Sequence, residues 1–164
     1  MANSRPPGHS QRPPTRSSRA PKPRAYRIVA DASGLVARRG VRELARQLGF
    51  SAKACEELVI VVAELSSNIL KYGVSGSIEM CRIDDLEHGI GIQLVAEDSA
   101  PPFDLAMALR DGFDAKGQLD PTKMFRRGGL GTGIGAIQRF SHLLMMEPAP
   151  PGKRIRVIRF VRKR

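Results

Sequence analysis

The sequence predicts an α/β (α+β) two-layer sandwich in which helices cover one face of a mixed, mostly antiparallel β-sheet. Residues 34–73 carry two stretches with apolar side chains at helical spacing, whereas residues 76–98 alternate apolar with polar or small side chains around a turn. Such alternation is typical of a strand pair with one covered face. Because the two helices can supply that cover, these segments predict a single layered domain.

The individual elements follow from apolar patterns and capping residues. After a strand over 26–30, we expect Ser33 to cap a helix whose apolar stripe is Leu35, Val36, Val41, Leu44, Ala45 and Leu48. Ser51 is expected to cap the next helix, whose core face is Leu58, Val61, Val62, Leu65 and Ile69. Then come a hairpin of strands over 76–84 and 88–98, a short helix within 103–112, a helix over 134–142, and strands near 143–147 and over 154–162.

The net charge of +11 is concentrated at the two ends of the chain. Residues 1–24 hold six basic residues and residues 153–164 hold seven, with no acid in either segment, while the rest holds 14 basic and 16 acidic residues. We interpret residues 1–24 as a disordered, basic, proline-rich tail and residues 25–164 as the domain. Nucleic-acid binding through the basic ends is the less favoured alternative, because the sequence lacks an aromatic platform on which bases could stack.

The remaining composition excludes several classes of protein. Cys55 and Cys81 are the only cysteines, too few for a disulfide framework or a zinc pattern. No apolar run has the length that spans a bilayer, and the N-terminus lacks the apolar segment of a secretory signal. The sequence therefore predicts a soluble, cytoplasmic protein with no membrane partner.

An acidic and an amide side chain share one face of the second predicted helix. Glu64 and Asn68 are four residues apart, which places them one turn from each other. Together they could hold a hydrated magnesium ion, and the carboxylate could accept a proton from an attacking hydroxyl. The alternative is a solvated polar edge of the helix, since such pairs are common.

A second candidate is the aspartate that ends the hairpin. Asp98 precedes a turn of small residues and prolines, "SAPPFD". A carboxylate fixed there could accept a hydrogen bond from an exocyclic amine such as that of adenine. The alternative is an aspartate that bonds the backbone of its own turn, which this residue does readily.

A third candidate is the stretch "RRGGLGTGIGAI" over 126–137, which leads into a predicted helix. Backbone N–H groups of a loop without side chains can point at one anion, and Thr132 adds a hydroxyl group. Nucleotide phosphates fit this description, although the stretch is neither a Walker loop nor a dinucleotide fingerprint. A flexible hinge is the alternative. The preceding residues 112–129 show no apolar period and predict a long loop.

In this order, the three segments resemble the GHKL ATPase superfamily, whose members share the Bergerat-type ATP-binding fold. The small size resembles the branch of anti-sigma-factor serine/threonine kinases. "ELSSNILKYG" and "RRGGLGTGIGAIQRF" are similar to the stressosome switch kinases (RsbT-like), and "EDSAPPFD" is similar to the anti-sigma kinases (RsbW-like). The resemblance covers residues 26–160 and implies an ATP-dependent serine/threonine-protein kinase that uses Mg²⁺.

The resemblance also implies a role for each matching residue. Glu64 is expected to be the catalytic base and Asn68 a magnesium ligand. Asp98 is expected to bind the adenine amine, beside Ala100, which replaces the usual glycine of this motif. Residues 112–127 are expected to form an ATP lid. The phosphates are expected to lie against Gly129, Leu130, Gly131, Thr132, Gly133 and Gly135.

The resemblance finally implies a partner. The expected substrate is a serine or threonine of a small STAS-domain protein that regulates a sigma factor or a signalling complex. A sigma factor or a phosphatase is the alternative partner, and members of the family often form homodimers. Because Ala100 replaces a glycine, an alternative stays open. In that alternative, the chain binds ATP or ADP as a switch and sequesters its partner without transferring phosphate.

Overall fold

The computed structural model describes residues 22–73, 75–109, 113–114, 117–118 and 133–162. Its elements are β1 (Arg24–Ile28), α1 (Asp31–Gln47), α2 (Ala52–Tyr72), β2 (Gly76–Asp85), β3 (Gly89–Asp98), α3 (Leu105–Ala108), β4 (Phe113–Asp114), β5 (Gly117–Gln118), α4 (Ile134–Arg139), β6 (Leu143–Ala149) and β7 (Gly152–Phe160). Residues 1–21 of the predicted tail and most of the predicted lid lie outside the described residues.

Five strands form the main sheet in the order β1-β2-β3-β7-β6. Every neighbouring pair in this order is antiparallel. The two-residue strands β4 and β5 pair separately. The long hairpin of β2 and β3 runs from the pair Gly76–Asp98 to the pair Asp85–Gly89, as the alternating pattern predicted. The predicted fold class, helices against a mostly antiparallel sheet, is confirmed.

The central helix α2 has the predicted cap and core face. The Ser51 side chain accepts a hydrogen bond from the Ala54 N–H group at 3.2 Å. The five predicted core residues of this helix are each at most 2% exposed. They join the covered face of the sheet in one core that includes Ile78, Met80, Ile92 and Leu94. The apolar spacing therefore fixed the orientation of α2 correctly.

The predicted apolar stripe of α1 was wrong at its start. Leu35 and Val36 are each 58% exposed, and the buried residues are instead Gly34, Ala37, Gly40, Val41, Leu44 and Ala45. The reason is close approach: a Cβ atom at Gly40 would lie 2.0 Å from the hydroxyl oxygen of Tyr26. In the first turns of α1, small residues therefore face the neighbouring elements, and Leu35 and Val36 turn outward.

The start of α1 also differs from the prediction. The helix begins at Asp31, and the backbone cap is Ala30, so Ser33 lies within the first turn. The Ser33 hydroxyl reaches back and accepts hydrogen bonds from the N–H groups of Val29 and Ala30, at 3.0 and 3.1 Å. The serine stabilises the predicted helix end, but from inside the helix.

The other face of the sheet carries polar side chains that alternate with the core residues. Glu97 and Arg154 lie on this open face, together with Arg156 and Gln93, which share a hydrogen bond of 3.1 Å. A cavity of ≈ 320 Å³ lies here, lined by side chains of β1, β2, β3 and β7. Among the described helices, none has both the length and the apolar character that crossing a bilayer requires.

Candidate functional site

Asp98 lies at the end of β3 with its carboxylate buried and paired. The Lys153 ammonium group, at the start of β7, donates a hydrogen bond to Asp98 Oδ1 at 2.7 Å. The two side chains are 4% (Lys153) and 5% (Asp98) exposed. The Lys153 Nζ atom also lies 5.7 Å from the centroid of the Phe103 ring, within the range of a cation–π contact.

Two glycines let the backbone approach this aspartate. A Cβ atom at Gly73, where α2 ends, would lie 2.8 Å from the Cβ atom of Asp98. A Cβ atom at Gly152 would lie 1.9 Å from the Asp98 carbonyl oxygen. Any larger residue at these two positions would therefore displace β3, α2 or β7 from the carboxylate.

Ala100 takes part in the turn that follows Asp98. Its N–H group donates a hydrogen bond to Asp98 Oδ1 at 2.8 Å, so the turn bond that we weighed as an alternative for Asp98 is present. Ala100 is 8% exposed, and its φ angle is not positive. Alanine therefore adopts this backbone without the strain that a glycine-only conformation would impose. Its role beside a base stays a prediction.

Glu64 and Asn68 lie on the flank of α2 and are both partly buried. Burial raises the pKa of the Glu64 carboxyl group above its ordinary value, and the positive charge of Lys71 opposes this rise. A carboxylate with a raised pKa is better suited to take up a proton near neutral pH. The structure thus supports the shared face, and the roles of base and magnesium ligand stay predictions.

The glycine-rich stretch is described only from Gly133 onward. Gly128, Gly129, Leu130, Gly131 and Thr132 lie outside the described residues. Gly133 precedes α4 with a φ angle of +61°, which favours glycine, and Gly135 lies within that helix.

Helix α4 packs against α2, and its residues Ile134, Ala136 and Ile137 are buried. Its far end is held by Arg159, which donates to the Phe140 carbonyl oxygen at 2.8 Å and also contacts the Glu57 carboxylate.

Helix α2 connects all three candidate segments. Asp98 lies beside its C-terminal end, Glu64 and Asn68 lie on its flank, and α4 packs against its side. At 1.5 Å per residue, Glu64 lies about 13 Å along the axis from the level of Gly73 and Asp98.

Lys153 is the residue that the sequence analysis did not assign to the site. The charge pattern groups it with the other basic residues of the C-terminal end. The strand pattern does indicate that Lys153 is buried, because period-two alternation places it on the same face as Ile155 and Val157, which are 2% and 1% exposed. A lysine in an apolar row of a strand requires a buried partner, and Asp98 is directly opposite in the ladder.

The chain is similar to several known proteins in sequence and in fold. The sequence profile of the histidine kinase-like ATPase domain matches residues 29–159. The serine/threonine-protein kinase RsbT of Bacillus subtilis (strain 168) is 27% identical over 138 residues, which cover 83% of this chain and 95% of RsbT. A chain of the crystal structure of the SiaB–SiaC complex from Pseudomonas aeruginosa has 13% identity and a TM-score of 0.50, covering 87% of this chain and 91% of that chain. At this identity, the structural likeness concerns the fold alone.

Proposed function

The chain belongs to the histidine kinase-like ATPase domain family, and on that premise we propose that it is an ATP-dependent serine/threonine-protein kinase acting on a small STAS-domain partner. The observation that carries this proposal is the arrangement around α2. A partly buried acid with a raised pKa lies on the flank of the helix whose end packs against the buried Asp98 carboxylate. The similarity to RsbT, which covers 95% of that protein, supports kinase activity. The proposal includes regulation of a sigma factor or a phosphatase through the phosphorylated partner.

Different segments of the chain supply different parts of this activity. Asp98 accepts a hydrogen bond from the exocyclic amine of adenine, and Gly133, Gly135 and the preceding loop bind the phosphates. Glu64 accepts the proton of the attacking serine or threonine hydroxyl. The oxygen of that hydroxyl forms a bond to the γ-phosphorus, and the bond to the leaving ADP breaks. Positioning and charge stabilisation carry most of the acceleration in such a transfer.

Asn68 on α2 fits a magnesium ion that enters with the nucleotide, because its amide oxygen is one of the hard ligands that Mg²⁺ prefers. The Glu64 carboxylate would remain free to act as the base, and the nucleotide phosphates would supply further ligands. In the described part of the chain, no three His, Cys, Asp or Glu side chains form a metal site of their own. When bound, the ion neutralises charge on the phosphate oxygens.

A labelling experiment tests the proposed kinase. The purified chain is incubated with Mg²⁺, ATP labelled at the γ-phosphate and a panel of purified STAS-domain proteins. Transfer to a serine or threonine is expected with the wild type and is expected to fall at least ~100-fold in Glu64→Gln, because the general base is lost. Mg-ATP binding is expected to stay within about threefold, since glutamine keeps the shape of the side chain.

Glu79→Gln is the matched control, because Glu79 is an exposed carboxylate of β2 and lies away from the helix-covered face. It is expected to leave transfer at the wild-type rate. Wild-type transfer by Glu64→Gln would show that the assignment of the base is wrong. Absence of thermal stabilisation of the wild type by saturating Mg-ATP would refute nucleotide use altogether, since a bound ligand stabilises the folded state by mass action.

The second candidate function is a nucleotide-dependent module that binds its partner without phosphotransfer. The presence of Ala100 where the family pattern has glycine favours it. A stable complex with a STAS-domain protein that forms with Mg-ATP but acquires no label would support this alternative over the kinase.

A further inference from the structure

Lys153 is the charged residue of the described chain that is most deeply buried, at 3% exposure. It is directly opposite Asp98 in the ladder between β3 and β7. A buried carboxylate without a counter-charge costs several kcal/mol and tends to take up a proton instead. The Lys153 ammonium group supplies that counter-charge to the Asp98 carboxylate.

The hydrogen bonds around Asp98 also orient its carboxylate. Lys153 Nζ and the Ala100 N–H group both donate to Oδ1, at 2.7 and 2.8 Å. Among the hydrogen bonds described for this side chain, both end on the same oxygen, which leaves Oδ2 as the atom for a ligand. The Phe103 ring near the Lys153 ammonium group adds a cation–π contact that fixes the lysine in turn.

We infer that Lys153 is a positioning residue for base recognition: it pairs with Asp98 and turns the carboxylate so that Oδ2 accepts the exocyclic amine of adenine. This inference rests on the proposed nucleotide site. Lys153 acts on the base through Asp98, to which its buried ammonium group is hydrogen-bonded. Its contribution is selectivity for a base that carries an amino group at that position.

The test compares the binding of Mg-ATP with that of Mg-ITP, whose base has a carbonyl oxygen in place of the amine. A hydrogen bond from the amine to a charged carboxylate predicts that the wild type binds ATP about 10- to 100-fold more tightly than ITP. In Lys153→Met, the preference is expected to fall below about threefold, because the ammonium group that orients the Asp98 carboxylate is lost. Lys153→Arg keeps the positive charge and is expected to retain most of the preference.

Lys153→Gln is the milder variant if the methionine protein does not fold, as judged by far-UV circular dichroism. Its amide is uncharged, and its side chain is shorter than that of lysine, so it is expected to hold the carboxylate less firmly and to lower the preference at least threefold. A wild-type ATP/ITP ratio in the neutral variants, with both nucleotides weakened alike, would mean that Lys153 has only a structural role and would overturn the inference. Failure of the arginine variant to retain the preference would overturn it as well.

The wild-type measurement separates this inference from the proposed function. If the wild type binds neither nucleotide, the proposed function fails, and the role of Lys153 fails with it. If the wild type binds ATP but does not prefer it over ITP, nucleotide use stands and only the inference is refuted.

Discussion

Two ion pairs join strands β3 and β7 at adjacent positions and lie on opposite faces of the sheet. Asp98 is opposite Lys153, and Glu97 is opposite Arg154. The shortest N–O distances are similar, 2.7 and 2.5 Å. The side chains of the first pair are 5% and 4% exposed, however, whereas those of the second are 45% and 36% exposed. The two pairs therefore differ in environment and hardly in geometry.

This difference indicates that burial, and not distance, decides how much an ion pair contributes to the stability of the folded protein. On the open face, Arg154 also contacts Glu147 at 3.2 Å, and water can replace any of these partners. On the covered face, neither Asp98 nor Lys153 can exchange its partner for water. Loss of one charge there leaves the other uncompensated in a medium of low dielectric constant.

The largest effect is expected for Lys153→Met, which breaks the buried pair. Removing one partner of a buried pair destabilises a protein by about 3–5 kcal/mol, because the remaining charge stays buried. We expect the free energy of unfolding, measured by urea denaturation, to fall by an amount of that order.

The control for this prediction is the double variant Asp98→Asn with Lys153→Met, which leaves no charge behind. It is expected to be more stable than Lys153→Met alone. If the single variant is as stable as the wild type, the pair does not contribute as its burial implies.

The sequence predicted the fold well where side-chain size and pattern agree, and poorly where they conflict. In α2, large apolar residues recur at helical spacing and are all buried. In α1, the buried side is formed partly by Gly34 and Gly40, which an apolar pattern cannot register. The pattern favours Leu35 and Val36 as core residues because they are larger, yet the close approach of Ser66 to Gly34 and of Tyr26 to Gly40 favours small residues on the buried side.

The candidate site shows a second limit, because its charges are paired across the fold. The residues that follow Asp98 in the sequence are enough to identify it as a candidate. Lys153, however, is 55 residues away in the chain and meets Asp98 only because strands β3 and β7 pair. The same limit affected the interpretation of the charge at the C-terminal end. Of its seven basic residues, Lys153, Arg154, Arg156 and Arg159 contact carboxylates on neighbouring elements. A charge count along the chain cannot show such partners.

A smaller effect of opposite sign is expected for Glu64→Gln, because Glu64 is partly buried with only the distant charge of Lys71 to offset it. Burial raises the pKa of Glu64 in the folded protein above its ordinary value of 4.5, so the folded state binds this proton more tightly than the unfolded chain. The stability of the wild type should therefore fall, relative to that of the variant, as pH rises from 4.5 through the raised pKa.

Urea denaturation at pH 4 and pH 7 checks this prediction. The two proteins are expected to be equally stable at pH 4, and the variant is expected to be the more stable one at pH 7. A wild type that is the more stable protein at pH 7 would show that Glu64 has a stabilising partner, and its burial would then resemble that of Asp98.

The smallest effect is expected for Arg154→Met, which breaks the exposed pair one residue from Lys153. Exposed pairs contribute little, since solvent takes the place of the lost partner and salt screens the attraction. We expect no measurable shift in the urea midpoint and no change between 0.05 and 0.5 M NaCl beyond that of the wild type. A loss comparable to that of Lys153→Met would mean that the open face is covered in solution, because only exclusion of water could make this pair equivalent to the buried one.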